Sequence, residues 1–229
     1  MTPLGRRVGA EAMGTALLFT AVVGSGIMAE RLSDGNFAVA LLGNTLATAA
    51  MLAVLIAMFA PLSGAHFNPA VTAVALVRRE IGRADALLFV AVQLGAGIGA
   101  MMLTHAMFDM PIVQAATKER AGVGQFLSEC VATFGLILTI IGTARCRASW
   151  VPASVALFIL SAYWFTASTS FANPAITIAR SLTDSFAGIR SDDVAPFIVA
   201  QLLGAMAGAG AGWALFDAGE GCCPRASAE

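Results

Sequence analysis

Charged side chains are scarce in this sequence. Only 12% of its 229 residues are Asp, Glu, Lys or Arg, and a soluble domain of this length would carry roughly twice that fraction. The mean hydropathy is +0.81, so an integral membrane protein is expected. The 13 basic and 14 acidic residues give a net charge of -1, which offers no electrostatic basis for a nucleic-acid partner.

Residue types that bind metals or perform catalysis are also few. The chain has two His and four Cys, and no cysteine spacing is typical of a zinc site. The adjacent Cys222 and Cys223 are interpreted as two exposed thiols of the tail rather than as a metalloid site. No Ser–His pair, metal-ligand set or carboxylate pair occurs within an apolar segment. We therefore expect neither an enzyme nor a metal or cofactor.

Long apolar segments, in contrast, make up most of the chain. A helix that crosses a bilayer needs about 20 apolar residues, and the sequence has room for six. The first segment follows Arg6 and Arg7 without a clear signal-peptide cleavage site, so it is interpreted as a membrane span. The predicted spans are 8–29, 37–59, 84–108, 125–143, 150–168 and 193–216. Residues 109–123 form the longest linker, and the polar tail 217–229 is predicted to be disordered.

Two short segments, 63–77 and 169–182, are apolar but too short to cross a membrane alone. Each contains Asn-Pro-Ala, as Asn68-Pro69-Ala70 and as Asn173-Pro174-Ala175. Asn is a preferred helix N-cap, and Pro is tolerated at the first helical position. Each segment therefore predicts a loop, a cap and a short helix.

The run Ser-Gly-Ala-His-Phe-Asn-Pro-Ala-Val-Thr at 63–72 resembles the first signature of the aquaporin, or major intrinsic protein, family. The resemblance covers about residues 9–216. It implies an all-α integral membrane protein, an aquaporin-like right-handed bundle of six transmembrane helices plus two re-entrant half-helices.

The two halves of the chain repeat three landmarks in the same order. Glu11, Asn68 and Gln93 are followed 105 to 118 residues later by Glu129, Asn173 and Gln201. An odd number of spans per half forces the second copy to insert upside down, which is the inverted repeat of many transport proteins. We expect one channel domain over 1–229, an inverted 3+3 repeat of 8–108 and 124–216, with its site near the midplane.

Basic residues indicate the orientation of the spans. With the N-terminus inside, eight arginines are cytoplasmic: Arg6, Arg7, Arg78, Arg79, Arg83, Arg145, Arg147 and Arg225. Five basic residues are outside: Arg31, Lys118, Arg120, Arg180 and Arg190. Both termini are therefore expected to be cytoplasmic.

Two loops that enter from opposite faces would bring the positive ends of two half-helices together. A cation or proton would meet a barrier there, whereas a neutral solute could bond to the Asn68 and Asn173 amides. The loop residues expected to line the pore with carbonyl groups are Gly64, Ala65, His66, Thr169 and Phe171. For His66, a ring that braces the loop is at least as plausible as a ring that contacts the solute.

Glu11 and Glu129 are carboxylates within apolar segments, which raises the hypothesis of a proton relay. The resemblance favours a different role, in which each carboxylate accepts hydrogen bonds from backbone N–H groups of its signature loop. An ion-coupled secondary transporter is the alternative to a channel, and these two residues would be its coupling site.

The selectivity filter departs from the family pattern. Most aquaporins carry Arg directly after the second Asn-Pro-Ala, where this chain has Ile176. Family spacing places the other filter positions at Thr48, Ser161 and Ser170, although Tyr163, Trp164 or Phe165 would intrude if the register of the fifth span shifted. Such a ring predicts a wide filter without Arg or a bulky aromatic residue. Arg180 would line the outer vestibule, and Asp184 at the next i+4 position would pair with it, either as a pair that rims the pore mouth or as a plain surface ion pair.

The segment around Asn173 resembles a bacterial aquaporin branch associated with arsenic resistance. This resemblance implies water, glycerol, trivalent arsenic hydroxides and methylated arsenicals as permeants. Small neutral solutes and the lipid bilayer are therefore the expected partners. The resemblance also implies a location in the bacterial inner (plasma) membrane. A homotetramer is implied by the resemblance alone.

Overall fold

A computed structural model describes residues 2–217 of the chain. Over this range the chain forms eight α-helices, a 3-10 turn at Ala148–Trp150 and a π-helical turn at Trp213–Asp217. The α-helices are α1 Leu4–Leu32, α2 Phe37–Ser63, α3 Pro69–Val77, α4 Arg83–Met107, α5 Val123–Cys146, α6 Val151–Phe165, α7 Pro174–Arg180 and α8 Ser191–Gly212.

Six of these helices, α1, α2, α4, α5, α6 and α8, are long and apolar enough to cross a membrane, α6 and α8 together with their flanking turns. This finding confirms the six predicted spans. The short helices α3 and α7 have nine and seven residues, as expected for segments that cannot cross alone. Large apolar side chains on the outer faces of the bundle, such as Leu46, Val54 and Leu157, are exposed, which suits contact with lipid.

Close packing of the long helices depends on glycine at a few positions. A Cβ atom at Gly204 of α8 would lie 2.2 Å from the carbonyl oxygen of Cys130 on α5, and one at Gly208 would lie 2.6 Å from that of Phe134. Backbone cannot yield to such contacts, so these two glycines set the distance between α5 and α8. Small residues have this role in many membrane helix pairs.

The loops before α3 and α7 share a pattern of positive backbone φ angles. Three equivalent residues in each loop adopt positive φ: Gly64 (91°) and Thr169 (60°), Ala65 (51°) and Ser170 (48°), and Phe67 (49°) and Ala172 (48°). Only the first pair includes a glycine, although this region is unfavourable for other residues. The tertiary contacts described below hold both loops in this shape.

The linker 109–123 is packed against the loop 181–190. The backbone N–H of Ala116 donates to Ser181 O (3.0 Å), and that of Arg190 donates to Lys118 O (2.8 Å). We call this end of the molecule the far side, and the end with Arg7, Arg78 and Asp217 the terminal side. Ion pairs join Arg7 to Asp85 and Arg78 to Asp217 on the terminal side.

The prediction for the tail is wrong at its first residue. Asp217 belongs to the π-helical turn and pairs with Arg78 at 2.9 Å, because two basic side chains, Arg78 and Arg145, lie within reach of its carboxylate. The rest of the predicted tail, with Cys222 and Cys223, lies outside the described residues.

Candidate functional site

The half-helices α3 and α7 begin at their asparagines. Oδ1 of Asn68 accepts a hydrogen bond from Ala70 N (2.9 Å), and Oδ1 of Asn173 accepts from Ala175 N (3.0 Å) and Ile176 N (3.3 Å). Pro69 and Pro174 occupy the first helical positions. The caps fix the orientation of both amide groups, because each oxygen is held by its own helix.

The two asparagines also join the halves of the chain. Nδ2 of Asn68 donates to the carbonyl of Ala172 (2.8 Å), and Nδ2 of Asn173 donates to that of Phe67 (2.9 Å). The N-termini of α3 and α7 therefore face each other. Each amide nitrogen carries two hydrogens, and within residues 2–217 the second N–H of each asparagine has no acceptor.

Glu11 on α1 supports the first loop. Its Oε1 accepts from Ser63 Oγ (2.7 Å) and His66 N (2.9 Å), and its Oε2 accepts from Phe67 N (2.7 Å) and Gln93 Nε2 (2.9 Å). The glutamate is fully buried. Four donors thus surround one carboxylate, which compensates the cost of its burial.

Glu129 on α5 makes the equivalent contacts in the second half. It accepts from Phe171 N and Ala172 N, both at 2.9 Å, and from Gln201 Nε2 at 2.6 Å. Gln201 also donates to Thr177 Oγ1 (2.9 Å). In the sequence the two glutamines were only landmarks of the repeat, although an amide that recurs at matching positions of two apolar spans is a signal of a shared contact.

A cavity of about 410 Å³ runs between the two sides of the molecule. Its lining includes Arg78 and Asp217 on the terminal side, Asn68 and Asn173 in the middle, and Arg180 on the far side. The remaining wall is mostly apolar, with side chains such as Val22, Ile56, Leu136, Ile140 and Ile159. Polar groups along one wall and apolar groups opposite form an amphipathic passage.

Three of the four predicted filter residues, Thr48, Ser170 and Ile176, line this cavity. Ser161 does not: it is exposed on the outer face of α6, and its hydroxyl donates to Leu157 O (2.9 Å). The cavity side of α6 is a stripe with a spacing of four residues: Val151, Val155, Ile159 and Tyr163. Ser161 is two residues from that stripe and so points about 200° away from Ile159.

Tyr163 takes the place expected for Ser161, and it is buried against the cavity. The prediction of a ring without a bulky aromatic residue is therefore wrong on the α6 side. From the sequence, Tyr163 was only one of three residues, with Trp164 and Phe165, that a shifted register would introduce. Because a helix turns by about 100° per residue, an alignment error of two residues exchanges a side chain of the pore for one of the lipid face.

Arg180 is buried in the wall of the cavity and does not lie at the exposed mouth of the pore. Its side chain is 2% exposed and lines the cavity, and the guanidinium lies 3.4 Å from the centroid of the Phe171 ring. Its Nε donates to the carbonyl of Ala187. The suggested pair with Asp184 does not form, because that carboxylate accepts from Thr117 N (3.0 Å) and Oγ1 (2.9 Å). The cavity thus contains an arginine that the filter prediction lacked.

Four of the five residues predicted to offer loop carbonyls, Gly64, Ala65, His66 and Phe171, line the cavity, whereas Thr169 does not. Thr169 lies at the start of its loop, where its N–H donates to Thr166 O (3.2 Å). The His66 ring both borders the cavity and packs. Its Nδ1 is 3.1 Å from Thr72 Oγ1, and its edge meets the ring of Phe89.

Arg120, a linker residue, binds the second loop from the far side, and these contacts were not predicted from the sequence. Its Nε donates to Gly188 O (2.9 Å), its Nη1 to Ser168 O (3.0 Å), and its guanidinium lies 4.8 Å from the Phe171 ring centroid. Burial lowers the pKa of Arg120 to about 10. The pKa of Lys118 is lowered to about 8, first by burial and then by the charges of Arg120 and Arg180.

Several known proteins are similar to this chain in sequence. The family model of the major intrinsic proteins matches residues 2–165 and 146–219. Aquaglyceroporin AqpS of Rhizobium meliloti (strain 1021) is 51% identical over 203 residues, which cover 89% of this chain and 87% of that protein. The chain belongs to the major intrinsic protein family. Aquaporin NIP6-1 of Arabidopsis thaliana is 29% identical over 90% of this chain and 68% of its own length.

Among solved structures, the X-ray structure of the aquaglyceroporin from Plasmodium falciparum matches with a TM-score of 0.67. The match covers 94% of this chain and 96% of that one at 19% sequence identity, and it shows that the fold is the aquaporin fold. Because the family consists of channels, the chain is a membrane channel for small neutral solutes and not an enzyme. Among residues 2–217, no group of three His, Cys, Asp or Glu side chains is placed to hold a metal ion.

Proposed function

We propose that this channel conducts glycerol-sized neutral solutes, including trivalent arsenic hydroxides and methylated arsenicals, besides water. The observation that carries the proposal is the meeting of Asn68 and Asn173 within one amphipathic cavity. A neutral polyhydroxylated solute can exchange its water for the free amide N–H groups and the loop carbonyls. The name of the relative AqpS, an aquaglyceroporin, supports a polyol permeant.

The same geometry supports the exclusion of cations and protons. The two half-helix N-termini bring the positive ends of their dipoles together in the cavity. A cation there would meet positive potential from both sides, and the aquaporin pore is a standard case of this kind of barrier. Glu11 and Glu129 then act as braces, since each is occupied by amide donors of its loop.

We infer that Thr48, Ser170, Ile176 and Tyr163 form the filter, with Arg180 close by. Ile176 leaves the position after Asn-Pro-Ala without a positive charge, which favours solutes larger than water. As(OH)₃ is neutral at pH 7 and close to glycerol in size, so it fits the same passage. Tyr163 makes this filter narrower than the sequence analysis predicted.

We further propose that the protein resides in the bacterial inner membrane as a homotetramer, with both termini in the cytoplasm. The terminal side carries most of the arginines, among them Arg6, Arg7, Arg78, Arg79 and Arg83, and the positive-inside rule assigns such a side to the cytoplasm. Exposed apolar side chains surround the bundle. Lipid and neighbouring subunits would share that surface.

Stopped-flow swelling of proteoliposomes tests the function. Gradients of glycerol and of As(OH)₃ are applied at pH 7 without an ion gradient, and empty liposomes serve as control. Fast, non-saturating influx of both solutes is the expected result. If influx requires a proton or sodium gradient, the protein is an ion-coupled transporter and the passive pore is refuted.

A further inference from the structure

The far side of the cavity holds two buried guanidinium groups that have no carboxylate in direct contact among residues 2–217. Arg180 and Arg120 are 2% and 7% exposed, and both guanidinium groups lie against the ring of Phe171. Within residues 2–217, neither side chain forms an ion pair with a carboxylate. Glu129, behind the loop, is taken up by backbone amides and Gln201. An unpaired buried charge is costly.

Several hydrogen-bonding groups at the same cavity also lack partners. The hydroxyl oxygens of Ser170 and Thr48 are buried and make no hydrogen bond within the described residues, and both residues line the cavity. Arg180 uses its Nε for Ala187, while its two terminal nitrogens make no hydrogen bond to residues 2–217. The protein therefore leaves these groups to be satisfied by whatever occupies the cavity.

We propose that this end of the pore binds a small monovalent anion, which Arg180 holds with its two terminal nitrogens and Ser170 with its hydroxyl. The flat guanidinium fork matches two oxygens of a planar oxyanion, and such charge-assisted pairs are strong. The stack on Phe171 fixes the plane of the fork. A bound anion occupies the cavity that the solute must cross, so it slows solute influx; this last clause rests on the proposed function.

Anion binding is measured directly as the broadening of the chloride NMR signal by the full chain in detergent at pH 7, with nitrate as the competing planar anion. The wild type broadens the signal, and added nitrate removes the broadening. Arg180→Gln abolishes the nitrate-sensitive part. Ser170→Ala weakens it by roughly tenfold, the usual size of one hydrogen bond to a charged group.

Ser170→Ala tests the anion site without the risk of misfolding that Arg180→Gln carries. Arg180→Gln also removes the bond to Ala187 and can impair folding, whereas the Ser170 hydroxyl has no partner within the described residues, so Ser170→Ala leaves the loop intact. Ser161→Ala makes the same change on the outer face of α6 and leaves binding unaltered. Equal nitrate sensitivity of wild type and Ser170→Ala would overturn the assignment.

A second experiment measures how nitrate changes glycerol influx into proteoliposomes. External nitrate slows influx through the wild type several-fold more than through Ser170→Ala. A wild type that conducts glycerol but shows no nitrate-sensitive broadening refutes the anion site alone. A wild type that binds nitrate but conducts no glycerol refutes the proposed function and leaves the anion site standing.

Discussion

Replacing Glu129 by Gln tests whether this carboxylate braces the second loop or carries protons. The wild-type side chain is fully buried and accepts hydrogen bonds from Phe171 N, Ala172 N and Gln201 Nε2. Gln has the same shape, but only one of its two terminal atoms is an acceptor. The NH₂ group of the new Gln would therefore point at an N–H donor that faces a carboxylate oxygen in the wild type.

The size of the effect follows from these contacts. At least one of the three hydrogen bonds is lost, and those that remain are no longer charge-assisted. Hydrogen bonds to charged groups contribute about 1.5–3 kcal/mol each, and a buried donor left unsatisfied costs about 1–3 kcal/mol. We therefore expect Glu129→Gln to destabilise the protein by roughly 3–5 kcal/mol, a large part of the 5–15 kcal/mol that is typical of folded proteins.

The assay compares the yield and melting temperature of the purified variant in detergent, followed by solute influx per folded molecule. Glu119→Gln is the matched control, because the same change is made at a side chain that is 66% exposed, and it leaves all three quantities unaltered. Low yield with a passive residual influx supports the bracing role. Normal folding with altered proton coupling would refute the reasoning and favour a transporter.

Three further predictions concern the pore and its far side. Ile176→Arg adds a guanidinium to the cavity lining and should reduce glycerol and As(OH)₃ influx more than water influx, whereas an equal fall in all three would contradict the assigned filter position. Thr169→Gly should raise the melting temperature, because Thr169 has φ of 60° and that region costs a residue with a Cβ about 1–2 kcal/mol; an unchanged or lower value would argue against strain there. Because the folded pKa of Lys118, about 8, lies below its ordinary value of 10.5, the unfolded chain binds more protons between these values and the free energy of unfolding should rise with pH across that window. Lys118→Met should flatten that rise, and an identical pH profile would show that another group is responsible.

The six spans were predictable because length and apolar composition specify them, and the half-helices were predictable because an Asn-Pro cap precedes each short apolar run. The repeat was predictable because Glu11, Asn68 and Gln93 recur in order in the second half. Buried polar residues in apolar spans are rare, so their recurrence carries information about contacts. The hydrogen bonds at both glutamates involve the loops that the sequence analysis assigned to them.

The filter was less predictable, for reasons of geometry. Spacing along α6 does not reveal which face of the helix meets the cavity, and a shift of two residues separates Ser161 from Tyr163. The position of Arg180 depends on the Phe171 ring and the Ala187 carbonyl, neither of which has a fixed spacing from it in sequence patterns. The contacts of Arg120 with Ser168 and Gly188 span 48 and 68 residues, and no local periodicity encodes them.

The crossed amide bonds of Asn68 and Asn173 bear on how the protein is made. The acceptor of Asn68 is Ala172, 104 residues later in the chain. During synthesis, the first half enters the membrane long before this acceptor has been made. Until then, its loop lacks the hydrogen bond from Asn68 to Ala172. In the second half, Asn173 likewise needs the carbonyl of Phe67, which belongs to the first half, as its acceptor. Neither half is a self-sufficient folding unit, so two separately expressed halves should acquire a stable pore only when they are inserted together.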